Sequence, residues 1–261
     1  MKNNKYKLKY ILHKLFGMFI RLWLFALIFL LISCHNQKNV DLSAPIVSTK
    51  MVFEEVEGIL AFEAEHFFKQ TETDVRKWYI TSSVGIPDVP PDADPDHLDG
   101  ASNRAYIEVL PDTRHTHDDE LIKGENFSDI PGEMAILHYN VYFNTPGRYY
   151  IWIRAYSTNS EDDSVHVGLD GDWPESGMRW RTTVDDEWAW QNKRRYPPEA
   201  NRHGSLKSFI DVNETGHRVL QISMREDGAE LDKIILTSDE NYIPEGYGPE
   251  PIIKSGKATH L

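Results

Sequence analysis

Residues 134–156 read Met134-Ala135-Ile136-Leu137-His138-Tyr139-Asn140-Val141-Tyr142-Phe143, then Asn144-Thr145-Pro146-Gly147, then Arg148-Tyr149-Tyr150-Ile151-Trp152-Ile153-Arg154-Ala155-Tyr156. Both runs are rich in β-branched and aromatic residues, which suit a half-buried extended backbone. Asn, Pro and Gly between them are turn formers. In the second run the two-residue period of a strand separates Tyr149, Ile151, Ile153 and Ala155 from Tyr150, Trp152, Arg154 and Tyr156. The aliphatic set is assigned to the core, which leaves an aromatic and cationic row on the opposite face. That row is either a ligand platform or cross-strand packing beneath a loop. The turn reads as a hairpin connection, and so does Asn213-Glu214-Thr215-Gly216.

The same pattern marks strands at 59–66, 77–81, 104–110, 134–143, 148–156, 165–169, 208–212, 217–224 and 231–237, parted by Gly, Pro, Asn and Asp. No stretch keeps a 3.6-residue period. Nine strands without helices predict an all-β sandwich or barrel over 58–237. Two long stretches lack pattern, 86–103 and 171–204, and long irregular segments in a compact domain tend to carry function. Residues 34–57 read as a polar tether and 238–261, with Pro244, Gly246, Gly248, Pro249 and Pro251, as a poorly structured tail.

Residues 1–33 have the order of an export leader: Lys2, Lys5, Lys7, Lys9, Lys14 and Arg21, then a nearly unbroken apolar run, then Leu31-Ile32-Ser33 before Cys34. Those last residues look like a bacterial lipobox, with Cys34 the acylated residue. The expected location is therefore the bacterial cell envelope, lipid-anchored at the outer membrane. Cys34 is the sole cysteine, so no disulfide supports the exported part and its core must suffice. Without the six leader cations, 22 Lys and Arg stand against 41 Asp and Glu, a net charge of −19. Nucleic acid and anionic lipid surfaces are poor partners for such a chain.

Glu63 and Glu65 are two apart in a strand-like run, which puts both carboxylates on one face. Two readings fit: a solvated edge-strand face, or a hard oxygen-binding cation such as Ca²⁺ with Asp232 as third ligand. Of seven tryptophans, Trp173, Trp180, Trp188 and Trp190 fall in 171–204 among Asp172, Glu175, Arg179, Arg181, Asp185, Asp186 and Gln191. Flat apolar rings rimmed by hydrogen-bonding groups suit sugars, whose C–H faces stack while their hydroxyls need donors and acceptors. At least one of these indoles is expected to plug the sandwich instead. Trp188 and Trp190 flank Ala189, so an extended backbone projects both rings to one side. His115-Thr116-His117-Asp118-Asp119 lacks a fourth ligand at suitable spacing and reads as a solvated loop. No G-x-S-x-G, H-E-x-x-H or phosphate-cradling glycine loop is present.

Ala61-Phe62-Glu63-Ala64-Glu65, Gly147-Arg148-Tyr149-Tyr150-Ile151-Trp152-Ile153-Arg154, Val165-His166-Val167-Gly168-Leu169-Asp170-Gly171 and Leu231-Asp232-Lys233-Ile234-Ile235-Leu236 form an ordered set. From about residue 58 to 237 that set resembles carbohydrate-binding modules of families 6 and 35. The resemblance implies a galactose-binding-like β-jelly roll with a structural calcium on Glu63, Glu65 and Asp232. It also implies a sugar site in loops at one end of the sandwich, which maps here onto 173–190 and onto Arg225-Glu226-Asp227-Gly228. Two departures bear on the ligand: an asparagine frequent before the last strand is replaced by Glu226 and Asp227, and the tryptophan loop is unusually long.

The expectation is a lipid-anchored, non-catalytic domain that binds a polysaccharide or oligosaccharide. Its contacts would come from Trp173, Trp180, Trp188, Trp190, Glu226 and Asp227, with Tyr150, Trp152 and Tyr156 as a second row. Two rivals stay open. One is a small β-sandwich lyase or hydrolase using Glu226 and Asp227, since hydrolysis takes two carboxylates across a cleft. The other is a protein-binding adhesin.

Overall fold

The structure, a computed structural model, describes residues 40–200 and 203–254. The expected leader, Cys34 and the envelope anchoring it implies lie outside the described residues.

In chain order the strands are β1 (Phe53–Glu54), β2 (Ile59–Glu63), β3 (Lys69–Thr71), β4 (Lys77–Ser82), β5 (Ala105–Leu110), β6 (Ile136–Phe143), β7 (Gly147–Tyr156) and β8 (Ser164–Leu169). They continue as β9 (Trp180–Arg181), β10 (Ala189–Gln191), β11 (Arg194–Arg195), β12 (Ser205–Leu206), β13 (Phe209–Val212), β14 (Gly216–Met224) and β15 (Glu230–Thr237). Among the described residues the helical pieces are 3₁₀ turns of three residues each, at Ser102–Arg104, Glu175–Gly177 and Pro198–Ala200. The all-β expectation holds, and the architecture is a two-sheet sandwich of the jelly-roll kind. One sheet runs β1-β6-β14-β8-β9-β11-β12 with β3 also on β6; the other runs β10-β7-β15-β5-β4 with β13 also on β7 and β2 also on β15.

The two-residue period decides which side chains meet between the sheets. On β6, Leu137, Tyr139, Val141 and Phe143 are buried while the residues between them are half-buried. They face Tyr149, Ile151, Ile153 and Ala155 of β7, the set that the alternation assigns inward, and Leu231, Ile234 and Leu236 of β15, while Ile222 of β14 flanks Leu137 in their own sheet.

The two turns expected to close hairpins instead carry the chain from one sheet to the other, because β6 and β7 belong to different sheets, as do β13 and β14. The corners lie together: Thr215 Oγ1 donates to the Asn144 carbonyl at 3.2 Å. The buried Glu55 carboxylate organises them. It accepts from the backbone N–H groups of Asn144 at 2.8 Å, Thr145 at 2.9 Å and Gly58 at 2.6 Å, so these amides point at an anion rather than at a neighbouring strand.

Two boundaries differ from expectation. The end of the supposed tether is strand β1, which runs parallel to β6, and Phe53 is in the core against Phe62 at 5.1 Å between ring centres. The supposed loose tail returns to that strand, with Glu54 N donating to Ile252 O at 2.7 Å and Lys254 N to Val52 O at 2.9 Å. A single core phenylalanine in a polar segment is too little periodicity to announce a strand.

Candidate functional site

The sheet built on β10-β7-β15 turns its outer face to the loops and the chain's last described segment. β10 lies antiparallel on the upper end of β7 and pairs Trp190 with Arg154. On β7 the residue two places earlier, Trp152, pairs with Ile235 of β15, which is buried but faces away from the core. Trp190 and Trp152 therefore share the outer face. The segment after β15 crosses beside them: Trp190 Nε1 donates to Gly246 O at 2.9 Å. Gly248 follows in a left-handed backbone (φ +72°), where a Cβ would stand 2.9 Å from Ile235 and 3.0 Å from the Trp190 ring. Only glycine lets the chain pass that close.

Trp152, Trp190, Gln191, Lys193, Leu206 and Lys207 line a groove of about 470 Å³, with Ile243 on its rim. Asn192 fixes its floor by donating to Ile151 O at 2.5 Å and Ser208 O at 2.9 Å. The two ammonium groups are held at its edges, Lys193 on Thr183 Oγ1 at 2.7 Å and Lys207 on the Glu240 carbonyl at 2.8 Å. Half-buried indoles beside amide and ammonium donors can stack on an apolar face and hydrogen-bond around it.

The other aromatic residues expected at a ligand have other work. Trp180 is in the core and donates from Nε1 to Gln191 O at 3.2 Å, so it is the plug. Trp173 is half-buried on the outer face of the opposite sheet, pressed on Gly168 and Gly132, where a Cβ would approach its ring to 2.7 Å and 2.5 Å. Trp188 does share a side with Trp190, but it packs edge-on against Tyr106 and Tyr156 at 5.3 Å and 5.5 Å and donates to His97 O at 2.9 Å. Tyr156 is covered by the His97 ring, stacked at 3.7 Å. Tyr150 lies toward the far end of β7, against Phe209 and below Lys207.

Glu226 and Asp227 are buried and held by protein groups, with Asp227 Oδ1 left without a hydrogen-bond partner, which corrects their expected role as sugar contacts. Glu226 accepts from Ser164 Oγ and from Arg225 at 2.5 Å. Asp227 Oδ2 accepts from Arg76 at 2.7 Å, Thr113 N at 2.8 Å and Thr113 Oγ1 at 2.6 Å. Their loop turns inward because the long β5–β6 connection folds over it, with Asp227 N donating to Asn126 O at 3.2 Å.

Sequence reading missed Lys193 and Lys207, and it also missed a group of acids near the upper ends of β5 and β15. Glu108 and Glu230 are direct cross-strand partners, and His97 Nδ1 lies 2.8 Å from Glu230 Oε1. Burial pushes both carboxyls well above the usual range, with neighbouring carboxylates adding to it. Burial also raises Asp112 to about 8 and Asp162 to about 7. Alternation against Ile107 and Leu231 was the available signal for the Glu108–Glu230 pair. In the His115–Asp119 loop, His115 Nδ1 lies 2.8 Å from Asp112, His117 pairs with Glu161, and Asp119 accepts from the loop's own amides.

Glu63, Glu65 and Asp232, the carboxylates expected to hold calcium, do interact, although Glu65 lies in the turn beyond β2. Lys233 Nζ stands 2.8 Å from Glu63 Oε1, and Arg154 donates to Asp232 Oδ2 at 2.5 Å. Asp232 Oδ1 accepts from Ser102 N at 2.8 Å. Glu65 is buried beside them. Lys233 and Arg154 thus already stand against Glu63 and Asp232, and a dication there would face an ammonium and a guanidinium at short range. The arrangement does not fit a resident calcium. Among the described residues no group of three or more His, Cys, Asp and Glu is placed to hold a metal ion.

Residues 97–251, which carry the groove and most of both sheets, match the Glycosyl hydrolase family 115 C-terminal domain. Protein P23 of Formosa agariphila is 45% identical over 238 residues, which is 90% of this chain and 56% of that protein, so the chain spans about half the length of this relative. Two solved structures overlap the chain loosely. The Podospora anserina GH26-CBM35 β-(1,4)-mannanase does so at 14% identity and TM-score 0.39, over 72% of this chain and 29% of its own. The C-terminal CBM6 of LamC, a marine laminarinase from Zobellia galactanivorans, does so at 13% identity and TM-score 0.33, over 69% and 98%. The family match takes in more than half of the chain, and the protein belongs to the Glycosyl hydrolase family 115 C-terminal domain family.

Proposed function

We propose that this domain binds a polysaccharide or oligosaccharide and performs no chemistry on it, with Trp152 and Trp190 as its stacking platform. The observation that carries this reading is the groove itself. Two indoles on one face of the sheet line a trough of about 470 Å³, with Gln191, Lys193 and Lys207 also lining it. A pyranose offers an apolar C–H face to such rings, and its equatorial hydroxyls reach the surrounding donors. Membership in a domain family named for a glycosyl hydrolase supports a glycan as partner. The leader-like N-terminus supports a position on the bacterial envelope, anchored by lipid at Cys34.

A glycan array followed by calorimetry on the best ligand tests the reading. Parent protein should bind, Trp152→Ala and Trp190→Ala should each bind more weakly, and incubation with the ligand should release neither reducing ends nor unsaturated products. Release of either would make the domain an enzyme. Cys34→Ala is expected to leave the protein out of the membrane fraction or unprocessed.

A further inference from the structure

Glu63 of β2, Lys233 of β15 and Arg154 of β7 are consecutive cross-strand partners in one row. The row exists because β15 carries an irregularity between Leu231 and Lys233. Leu231 and Ile234 both belong to the core, so the extra residue lets Asp232 and Lys233 leave the core face together. One strand thereby delivers a carboxylate and an ammonium to the same spot, and its neighbours add Glu63 and Arg154.

All four side chains are buried, and Lys233 has no exposed surface. A buried ammonium is tolerated only against opposite charge. Lys233 faces Glu63 at 2.8 Å as an ion pair rather than as an aligned hydrogen bond, and it also acts electrostatically on Glu65. Glu63 Oε2 and Glu65 Oε2 are buried with no hydrogen-bond donor. These are the oxygens that would otherwise call for a free cation, and a positive charge tethered to the chain, Lys233, stands 2.8 Å from the other oxygen of Glu63.

We propose that the Lys233 ammonium, with Arg154 beside it, takes the place of a structural cation in this sandwich, so that the domain folds and stays folded without metal. Lys233 and Arg154 together carry the charge of one dication. Their position is set by strand register, so no loop has to be ordered around an ion. Shortening Lys233 opens space beside two buried carboxylate oxygens and removes half of the positive charge, which turns the cluster into a site for a hard divalent cation.

The test uses the whole protein, purified and passed over chelating resin. The wild type is expected to hold no calcium by elemental analysis and to melt at the same temperature in EDTA and in excess CaCl₂. Lys233→Ala is expected to melt lower in EDTA and to regain about 3 °C or more in CaCl₂. Stoichiometric calcium in the wild type, or a wild-type melting temperature that falls in EDTA and returns with CaCl₂, overturns the proposal. So does a folded Lys233→Ala chain that ignores calcium. Should Lys233→Ala fail to fold, the Glu63→Gln/Lys233→Met pair, which removes both charges together, is expected to fold and to ignore calcium. Failure of that pair to fold, or a calcium response from it, would overturn the idea.

Discussion

Trp190 of β10 and Arg154 of β7 face each other across the ladder that joins the tryptophan-rich segment to the sheet. Trp190 is thereby fixed on the same face as Trp152 instead of riding on a free loop. A preset platform loses little freedom when a ligand arrives, so its stacking free energy goes into affinity.

Trp190→Ala and Trp152→Ala should each weaken glycan binding by roughly one to two powers of ten, since losing the burial of one aromatic face is on the order of 1.5–3 kcal/mol. Trp190→Phe keeps a ring but loses the bond to Gly246 O, and it should retain most of the affinity. Calorimetry with the array-identified ligand measures all three. Unchanged affinity in both alanine variants would move the site off this face.

Trp180→Ala separates packing from binding. Its ring is enclosed between the sheets, and emptying such a space costs about 3–5 kcal/mol. Urea titration should show that loss, with a melting temperature lower by roughly 10 °C. Trp173→Ala should cost less, because its ring is only half-buried on the outer surface, and it should leave glycan affinity intact.

The inward and outward sets on β7 were legible in the sequence because a strand's period of two is strict, and the same rule put Trp188 and Trp190 on one side. What those indoles do once there was not legible. Trp188 is packed down by Tyr106, which is remote in sequence, while Trp190 is left open at the groove. The corners at 144–147 and 213–216 carry the residues of ordinary hairpin turns, and nothing local says that Glu55 will draw the chain across to the other sheet. Glu226 and Asp227 looked exposed because acidic residues usually are. Arg76 and Thr113, far along the chain, bury Asp227, and Ser164, also remote, joins the adjacent Arg225 in holding Glu226.

Stability should fall as pH rises from about 6.5 to 8. Asp112 and Asp162 keep their protons in the folded state up to about 8 and about 7, chiefly through burial, whereas in the unfolded chain they lose them near 4. A raised carboxyl contributes stability that is complete at low pH and is lost as pH climbs through the folded value, by at most about 1.4 kcal/mol per pH unit per group. His138 and His166 act oppositely: burial lowers both to about 4, so they add stability as pH rises toward 6.5 and no slope above it. Between 6.5 and 8 the carboxyls act alone. Melting curves should therefore shift down across that window, and Asp112→Asn should flatten the dependence. A flat parent profile would show that these carboxyls are ionised in the fold.

Glu55 should matter more than any surface ion pair. Its carboxylate receives three backbone N–H groups, and two of them belong to the corner where the chain changes sheets. Glu55→Ala leaves those amides without that acceptor in a part-buried setting, at roughly 1–3 kcal/mol for each group that water cannot reach. Glu55→Gln keeps one carbonyl oxygen in place of the anion and should recover part of the loss. Asp211→Ala is the control, since its pair with Arg148 is half-exposed and such pairs contribute about 0–1 kcal/mol. Urea titrations of the three variants should rank Glu55→Ala well below Glu55→Gln, with Asp211→Ala near the parent and all slopes unchanged. Equal midpoints for Glu55→Ala and Asp211→Ala would mean that the corner holds its course without the carboxylate, and that the strands on either side, rather than Glu55, direct the chain from one sheet into the other.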